Sequence, residues 1–247
     1  MYQYEHDKVV PLKASNVSKK QQVAGMFDDI AGRYDFLNRF LSAGIDVSWR
    51  KKMMKELKPI QPRQLLDVAT GTGDVALMAY KMLKPEKIIG IDISQGMLKL
   101  GVEKIEKAGL SGVIDLQKGD SEAINFPDAT FDAVTVAFGV RNFENLEKGL
   151  AEIYRVLKPG GKLVVLEFSK PKNAVFKPVY NLYLSIVAPE MAKWISKNKD
   201  AYQYLNNSIK AFPERQAFDS ILHKTGFTKT YFKPLSLGIC CIYCGSK

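Results

Sequence analysis

Cysteine is scarce in this chain of 247 residues, with only Cys240, Cys241 and Cys244, and histidine is scarcer still, with His6 and His223 far apart. A disulfide-stapled scaffold is therefore excluded, and the ligands for a structural zinc site, which takes four, are not there. Cys241-x-x-Cys244 has the spacing of a redox pair. It lies, however, in an apolar, β-branched stretch rather than at a helix start that would stabilise a thiolate, so these cysteines read as buried small hydrophobes. No apolar run approaches the roughly 18 residues of a membrane span, and residues 1–20 are polar, with no h-region or small-residue cleavage site. The expectation is a soluble, intracellular protein. Acidic residues are the minority, 26 against 36 basic, which leaves a formal charge of +10. That surplus admits nucleic acid, an anionic membrane surface or an acidic substrate without choosing among them. Internal repeats and low-complexity tracts are missing as well. The composition that remains, 46% hydrophobic and 25% charged, is that of a globular protein, and the length suits one α/β domain with embellishments.

Two helices precede any strand. Val23, Met26, Phe27, Ile30 and Tyr34 recur at helical spacing, and residues 47–57 form a second amphipathic stretch closed by Pro59. From residue 64 short apolar runs alternate with helical stretches. Strands are expected over 64–69, 87–92, 113–119, 131–137 and 161–168, with crossover helices over 74–83, 95–108 and 146–157. This is the pattern of a doubly wound parallel sheet. Residues 170–199 form a lysine-flanked helical stretch that is apolar over more than half its circumference, and residues 227–234 and 238–245 suit a hairpin.

The first strand runs through Asp67 into Thr70-Gly71-Thr72-Gly73-Asp74, and a helix follows. The glycines remove side chains where a ligand must lie against the main chain. An acidic residue, Asp92, ends the second strand, where it can accept from ribose hydroxyls. Dinucleotides and S-adenosylmethionine both use this arrangement. Asp67 and Asp74 beside the loop would repel a pyrophosphate and attract a sulfonium and an α-amino group. Asp120, followed by Ser121 at the end of the third strand, is placed to receive an adenine amine. Together these favour S-adenosylmethionine; the alternative is that Asp67, Asp74 and Asp120 cap helices and turns.

Three segments carry a resemblance: Tyr34 to Trp49, Phe138-Gly139-Val140-Arg141-Asn142, and Arg155 to Gly161 continuing through Glu167-Phe168-Ser169. They are similar to the signatures of the ubiquinone/menaquinone biosynthesis C-methyltransferases, of which demethylmenaquinone methyltransferases are one branch, over nearly the whole chain. The resemblance implies a class I S-adenosylmethionine-dependent methyltransferase (Rossmann-like) α/β fold. The expected sheet is seven-stranded and mostly parallel, with an N-terminal helical lid (residues 1–58), a cofactor-binding core (59–169), an apolar helical insertion (170–212) and a C-terminal helix and hairpin (213–247). It implies methyl transfer to a ring carbon of a prenylated hydroquinone, with demethylmenaquinol, the naphthoquinol precursor of menaquinone, as the expected acceptor and the methoxybenzoquinol precursor of ubiquinone, or both, as the alternative. Cofactor contacts carry over to Thr72, Asp92, Asp120 and Ser121, joining Asp67, Gly71 and Gly73 of the loop. Two positions depart from the family pattern. Ala137 stands where a serine is frequent, and Asp46 stands where histidine is.

A ring carbon becomes nucleophilic when the neighbouring hydroxyl gives up its proton, and a phenol with a pKa near ~10 needs a base or a positive neighbour for that. Arg141 is the expected oxyanion partner, oriented by Asn142, with Asp46 or an ordered water taking the final ring proton and Tyr34 contributing from the N-terminal block. The lysine-flanked stretch and the prenyl tail together predict peripheral association with anionic membranes at the inner face, the cytoplasm being the expected setting. A homodimer is compatible with this, and no metal is expected. A nucleic-acid or protein methyltransferase has only the basic charge in its favour. The end of strand four lacks the Asn/Asp-Pro-Pro-aromatic signature of base-flipping amino methylases, and no basic-aromatic stripe exists, so no nucleic-acid partner is expected. A nicotinamide oxidoreductase and an inactive binding module on the same fold are the remaining alternatives.

Overall fold

In a computed structural model, which describes residues 4–12, 16–42, 44–171 and 199–247, the apolar runs form one seven-stranded sheet. Most of the lysine-flanked stretch, residues 172–198, lies outside the described residues. The strands are β1 (Gln64–Val68), β2 (Lys87–Asp92), β3 (Ile114–Lys118), β4 (Phe131–Ala137), β5 (Leu157–Phe168), β6 (Thr228–Leu235) and β7 (Cys240–Ser246). They are ordered β3-β2-β1-β4-β5-β7-β6. The first five run parallel, and β7 pairs antiparallel with both β5 and β6. Chain order reverses between β1 and β4, which opens a crevice beyond the carboxyl ends of these strands.

The central strands are apolar on both faces because both faces are covered. On one face Leu65, Ala133 and Val164 meet α2 (Ile45–Leu57), α3 (Asp74–Leu83) and α4 (Gln95–Lys107) through Met53, Met54, Ala76 and Leu98. On the other, Leu66, Val134 and Val165 meet α5 (Leu146–Val156) and α7 (Gln216–Thr225) through Leu150, Ile153, Phe218 and Leu222. Ser94 and Asn145 start α4 and α5 by accepting from the amides of Met97 and Lys148. All three cysteines are free and buried in β7.

The N-terminal helix α1 (Lys19–Leu41) lies across α4. Asp28 fastens it there by accepting from Ser94 Oγ (2.6 Å) and the Gly96 amide (2.7 Å) at the start of α4. Ahead of α1, residues 4–12 dock on the other side of the sheet. Tyr4 Oη donates to Glu147 (2.7 Å), Lys19 Nζ donates to the His6 carbonyl (2.8 Å), and the His6 ring packs edge-on against Phe212, the residue after α6 (Lys199–Ala211).

Element ends agree with the sequence expectation to within about two residues except at the start of β5. β5 begins at Leu157 rather than 161, because the Pro159-Gly160-Gly161 run is absorbed as a bulge and the pairing jumps from Phe131↔Leu157 to Ala133↔Lys162. The C-terminal hairpin is displaced by one or two residues, its turn formed by Ser236–Gly238.

Candidate functional site

At the reversal point the carboxyl ends of β3, β2, β1 and β4 stand side by side along one cleft. α1 closes the opposite side with Lys20, Val23, Phe27 and Tyr34. Of the residues singled out from the sequence, Tyr34, Gly71, Asp92, Asp120, Ser121 and Asn142 line this cleft. Asp67, Thr72, Gly73, Asp46 and Arg141 are not among the residues that line it.

Asp92 organises the wall. One carboxylate oxygen accepts from the Gly71 amide (2.8 Å) and the other from the Ser94 amide (2.9 Å), which pins the glycine loop to the end of β2. Burial raises its carboxyl above the ordinary range, while the amides pull the other way. Gly71 has φ +56, a conformation that disfavours a side chain, and its open side faces only the Tyr34 ring. Ala69 and Phe138, at the ends of the adjacent strands β1 and β4, also have positive φ (54 and 57°), so both strand ends are bent out of the sheet into the cleft wall. Between them Gly139 comes so close that a Cβ there would fall 2.6 Å from the Ala69 Cβ.

Asp67 is buried at 1% exposure and accepts from Thr70 Oγ1 and Thr135 Oγ1, both at 2.6 Å. Burial pushes its carboxyl up to about 6 despite those two donors. It braces the loop from beneath rather than presenting an oxygen to the cleft.

Thr72 and Asp46 belong to an ion network behind the loop. Asp46 accepts from Arg39 Nη1 (2.7 Å), Arg50 Nη1 (2.8 Å) and Ser42 Oγ (2.8 Å). Asp74, the first residue of α3, accepts from Arg39, Arg50 and Lys104. Thr72 Oγ1 donates to Asp35 (2.7 Å) and accepts from Lys104 (2.9 Å), which also pairs with Asp35. The two N-terminal helices are thereby bolted to the cofactor-type loop through charge.

Arg141 is likewise buried. Its Nη1 donates to Glu167 (2.8 Å) and to the Phe138 carbonyl (2.6 Å), and the guanidinium stacks over Phe168, its carbon 5.4 Å from the ring centre. Its Nε has no hydrogen-bond partner among the described residues. Asn142 is oriented at both ends, donating to the Phe138 carbonyl (3.4 Å) and accepting from Tyr204 Oη (3.1 Å). Burial raises the Tyr34 phenol, so this cleft-lining hydroxyl keeps its proton.

At the far end Lys20 reaches across from α1 to Asp120 (2.5 Å) and Glu122 (3.4 Å). Glu122 also accepts from the amides of Glu144 and Asn145. Sequence reasoning missed Lys20, Arg50, Glu122, Tyr204 and Glu167. Only Glu167 left a signal, an acid directly after the apolar run 163–166 of a covered strand, where an ion is expected only if paired.

The ubiE/COQ5 methyltransferase family matches residues 15–247. The chain belongs to that family. A demethylmenaquinone methyltransferase of Bacteroides fragilis is 47% identical over 244 residues, covering 99% of both chains. A ubiquinone/menaquinone biosynthesis C-methyltransferase UbiE of Geobacter sulfurreducens is 44% identical over 230 residues, 93% of this chain and 90% of its own. Among solved structures, a SAM-dependent methyltransferase from Aquifex aeolicus superposes with a TM-score of 0.54 at 22% identity, over 74% of this chain and 81% of that one, a likeness of fold. The ubiE/COQ5 family match thus runs through both the cleft and the N-terminal helices that close it.

Proposed function

We propose that this member of the ubiE/COQ5 methyltransferase family methylates a ring carbon of demethylmenaquinol, with S-adenosylmethionine as donor. The observation that carries the reading is the placement of Asp120, Asp92 and Gly71 along one cleft that ends beside a buried arginine with an unused donor. The row suits a nucleoside with a cationic substituent. Carboxylates at two successive strand ends accept from an adenine amine and from ribose hydroxyls, whereas a pyrophosphate would meet them with like charge. When bound, S-adenosylmethionine supplies a methyl group on a sulfonium, so the leaving group is already activated.

The chain's own residues then have two tasks. Arg141, fixed by Glu167 and the Phe138 carbonyl, stabilises the oxyanion of the quinol from its free Nε side, and Asn142 keeps the acceptor in register. Tyr34, held as a phenol, keeps a hydroxyl proton available at the cleft wall. Asp46 is engaged by two arginines and a serine, so we assign the final ring proton to an ordered water rather than to Asp46. α1 and α2 act as the lid that excludes bulk water from the sulfonium.

The naphthoquinol reading is favoured over the methoxybenzoquinol by the naming of the Bacteroides fragilis relative. Transfer of labelled methyl to short-tailed demethylmenaquinol and, in parallel, to the methoxybenzoquinol tests it. Label on the naphthoquinol alone is the expected outcome, label on both makes the enzyme dual, and label on neither overturns the acceptor. A prenylated acceptor resides in a bilayer, and the charge of +10 favours an anionic surface. Among the described residues no helix is long and apolar enough to cross a membrane, so the expected association is peripheral. Flotation with anionic vesicles at low salt checks it, and failure to float removes the membrane partner.

A further inference from the structure

The side-chain amide of Asn142 has only one orientation that its surroundings accept. It lines the cleft, and among the described residues it makes two hydrogen bonds, to groups of opposite kind. The Phe138 carbonyl, 3.4 Å from Nδ2, has no proton to give, so it must face the amide nitrogen. Oδ1 is left for Tyr204 Oη, 3.1 Å away, and the tyrosine has to be the donor. The Phe138 carbonyl is also shared, since Arg141 Nη1 reaches it at 2.6 Å. With a long, shared contact on one side, the Tyr204 hydroxyl is the firmer of the two restraints.

The orientation decides what Asn142 can offer. Oδ1 is taken by Tyr204 and one N–H by Phe138, which leaves the second N–H of Nδ2. Asn142 is therefore a donor, and it directly follows Arg141, whose Nε is also uncommitted among the described residues. A charged and a neutral donor on successive residues suit an oxyanion, which an amide turned the other way would meet with its carbonyl.

Tyr204 does not itself line the cleft. It is 3% exposed, and its ring sits with Val23 and Met26 of α1, with Phe27 and Ile93 packed against the group. Burial raises its phenol against the nearby charge of Arg141, so the hydroxyl keeps its proton and stays a donor. Asn142 Oδ1 is its one hydrogen-bond partner among the described residues.

We propose that Tyr204 is a positioning residue for methyl transfer: by donating to Oδ1 it holds the Asn142 amide with the nitrogen as the group offered to the acceptor oxygen. The reaction thereby depends on α6, an element that contributes no described residue to the cleft lining. The inference rests on the roles given above to Arg141 and Asn142, and the test separates the two.

Transfer of labelled methyl from S-adenosylmethionine to short-tailed demethylmenaquinol is measured for the wild type, Tyr204→Phe, Asn142→Ala and the double variant, with the dissociation constant of S-adenosylhomocysteine taken by calorimetry. Loss of a neutral hydrogen bond of this kind predicts that Tyr204→Phe lowers kcat about 3- to 10-fold, while KM for the quinol and the affinity for S-adenosylhomocysteine stay within about two-fold. In the Asn142→Ala background the same replacement should change kcat by less than about two-fold, because the hydroxyl then has nothing to hold. Losses that multiply, or an unchanged kcat in Tyr204→Phe, overturn the assignment. So does a cofactor affinity that falls as far as kcat, which is the mark of a disturbed cleft. The ratio of wild-type to Tyr204→Phe rates should be constant from about pH 6 to 9, and a ratio that changes with pH makes Tyr204 an acid or base of the reaction and overturns the positioning role. If the wild type methylates neither this quinol nor the methoxybenzoquinol, the acceptor reading itself falls and takes the Tyr204 assignment with it.

Discussion

Arg141, in the helical turn that follows β4, and Glu167, near the end of β5, meet at 2.8 Å with side chains 7% and 0% exposed, so that the charge expected to serve the reaction is balanced by a carboxylate inside the sheet. Breaking a buried pair by neutralising one partner leaves the other uncompensated, at a cost of about 3–5 kcal/mol. Glu167→Gln is expected to lower the urea midpoint accordingly. Combining it with Arg141→Met should restore most of the stability while methyl transfer stays lost. A double variant as unstable as Glu167→Gln alone would show that Glu167 does not act through Arg141.

Asp67 gives the protein a pH dependence of definite sign. Its folded-state pKa, about 6, lies above the ordinary 3.8, so between these values the folded chain holds a proton that the unfolded chain has released. Stability therefore falls as pH rises through that window, by on the order of 2–3 kcal/mol in total, and is fully retained below it. The difference in unfolding free energy between wild type and Asp67→Asn, measured from pH 3.5 to 7, should change across the window. A difference that is flat with pH counts against a raised Asp67.

His6 works in the opposite direction. Burial, helped by the charge of Lys19, lowers it to about 3 from 6.5, even though the Asp7 carboxylate lies 3.2 Å from its Nε2. Here the unfolded form takes the proton first. Stability is complete above pH 6.5 and declines as pH falls towards 3, by about 1.4 kcal/mol per unit. Because His6 sits in the N-terminal segment docked through Tyr4 and Lys19, acid should release that segment first. Limited proteolysis at pH 4.5 should cut ahead of α1 in the wild type and spare His6→Phe.

Lys20 occupies the carboxylate of Asp120 that the adenine amine is expected to use. The two side chains are partly exposed, so the pair is worth about 0.5–1 kcal/mol, and removing the competitor should strengthen nucleoside binding about two- to five-fold. Titration of Lys20→Met with S-adenosylhomocysteine at low and high salt checks this. The advantage over wild type should shrink as salt rises, and weaker binding by the variant would instead make Lys20 a contact of the ligand.

The parallel core was legible because its physics is local: the apolar runs ending at Val68, Asp92 and Ala137 are covered on both faces, and amphipathic stretches separate β1 from β2, β2 from β3 and β4 from β5. The cleft residues were legible for a related reason, since Gly71, Asp92 and Asp120 are punctuation at strand ends, where topology puts ligands. The network behind the loop was not. Arg50 with Asp74 and Lys20 with Asp120 join elements whose relative placement depends on how α1 and α2 fold back, and a charged residue on an amphipathic helix looks the same whether it meets solvent or a partner. Asp46 illustrates the limit. It read as a group in reach of substrate and is instead a strut between two arginines.

The interior place of β7 sets an order of events during synthesis. This strand lies between β5 and β6, so β6 joins the sheet only through it, and the Lys247 backbone closes the bulge by pairing with Gly160 and Gly161. Until residues 240–246 have cleared the ribosome, β5 carries a bare apolar edge of the kind that recruits other chains. The nascent polypeptide must wait, with its cleft-forming strands already made, for the β6–β7 hairpin to be laid along that edge, and it is over that interval that holding chaperones have something to bind.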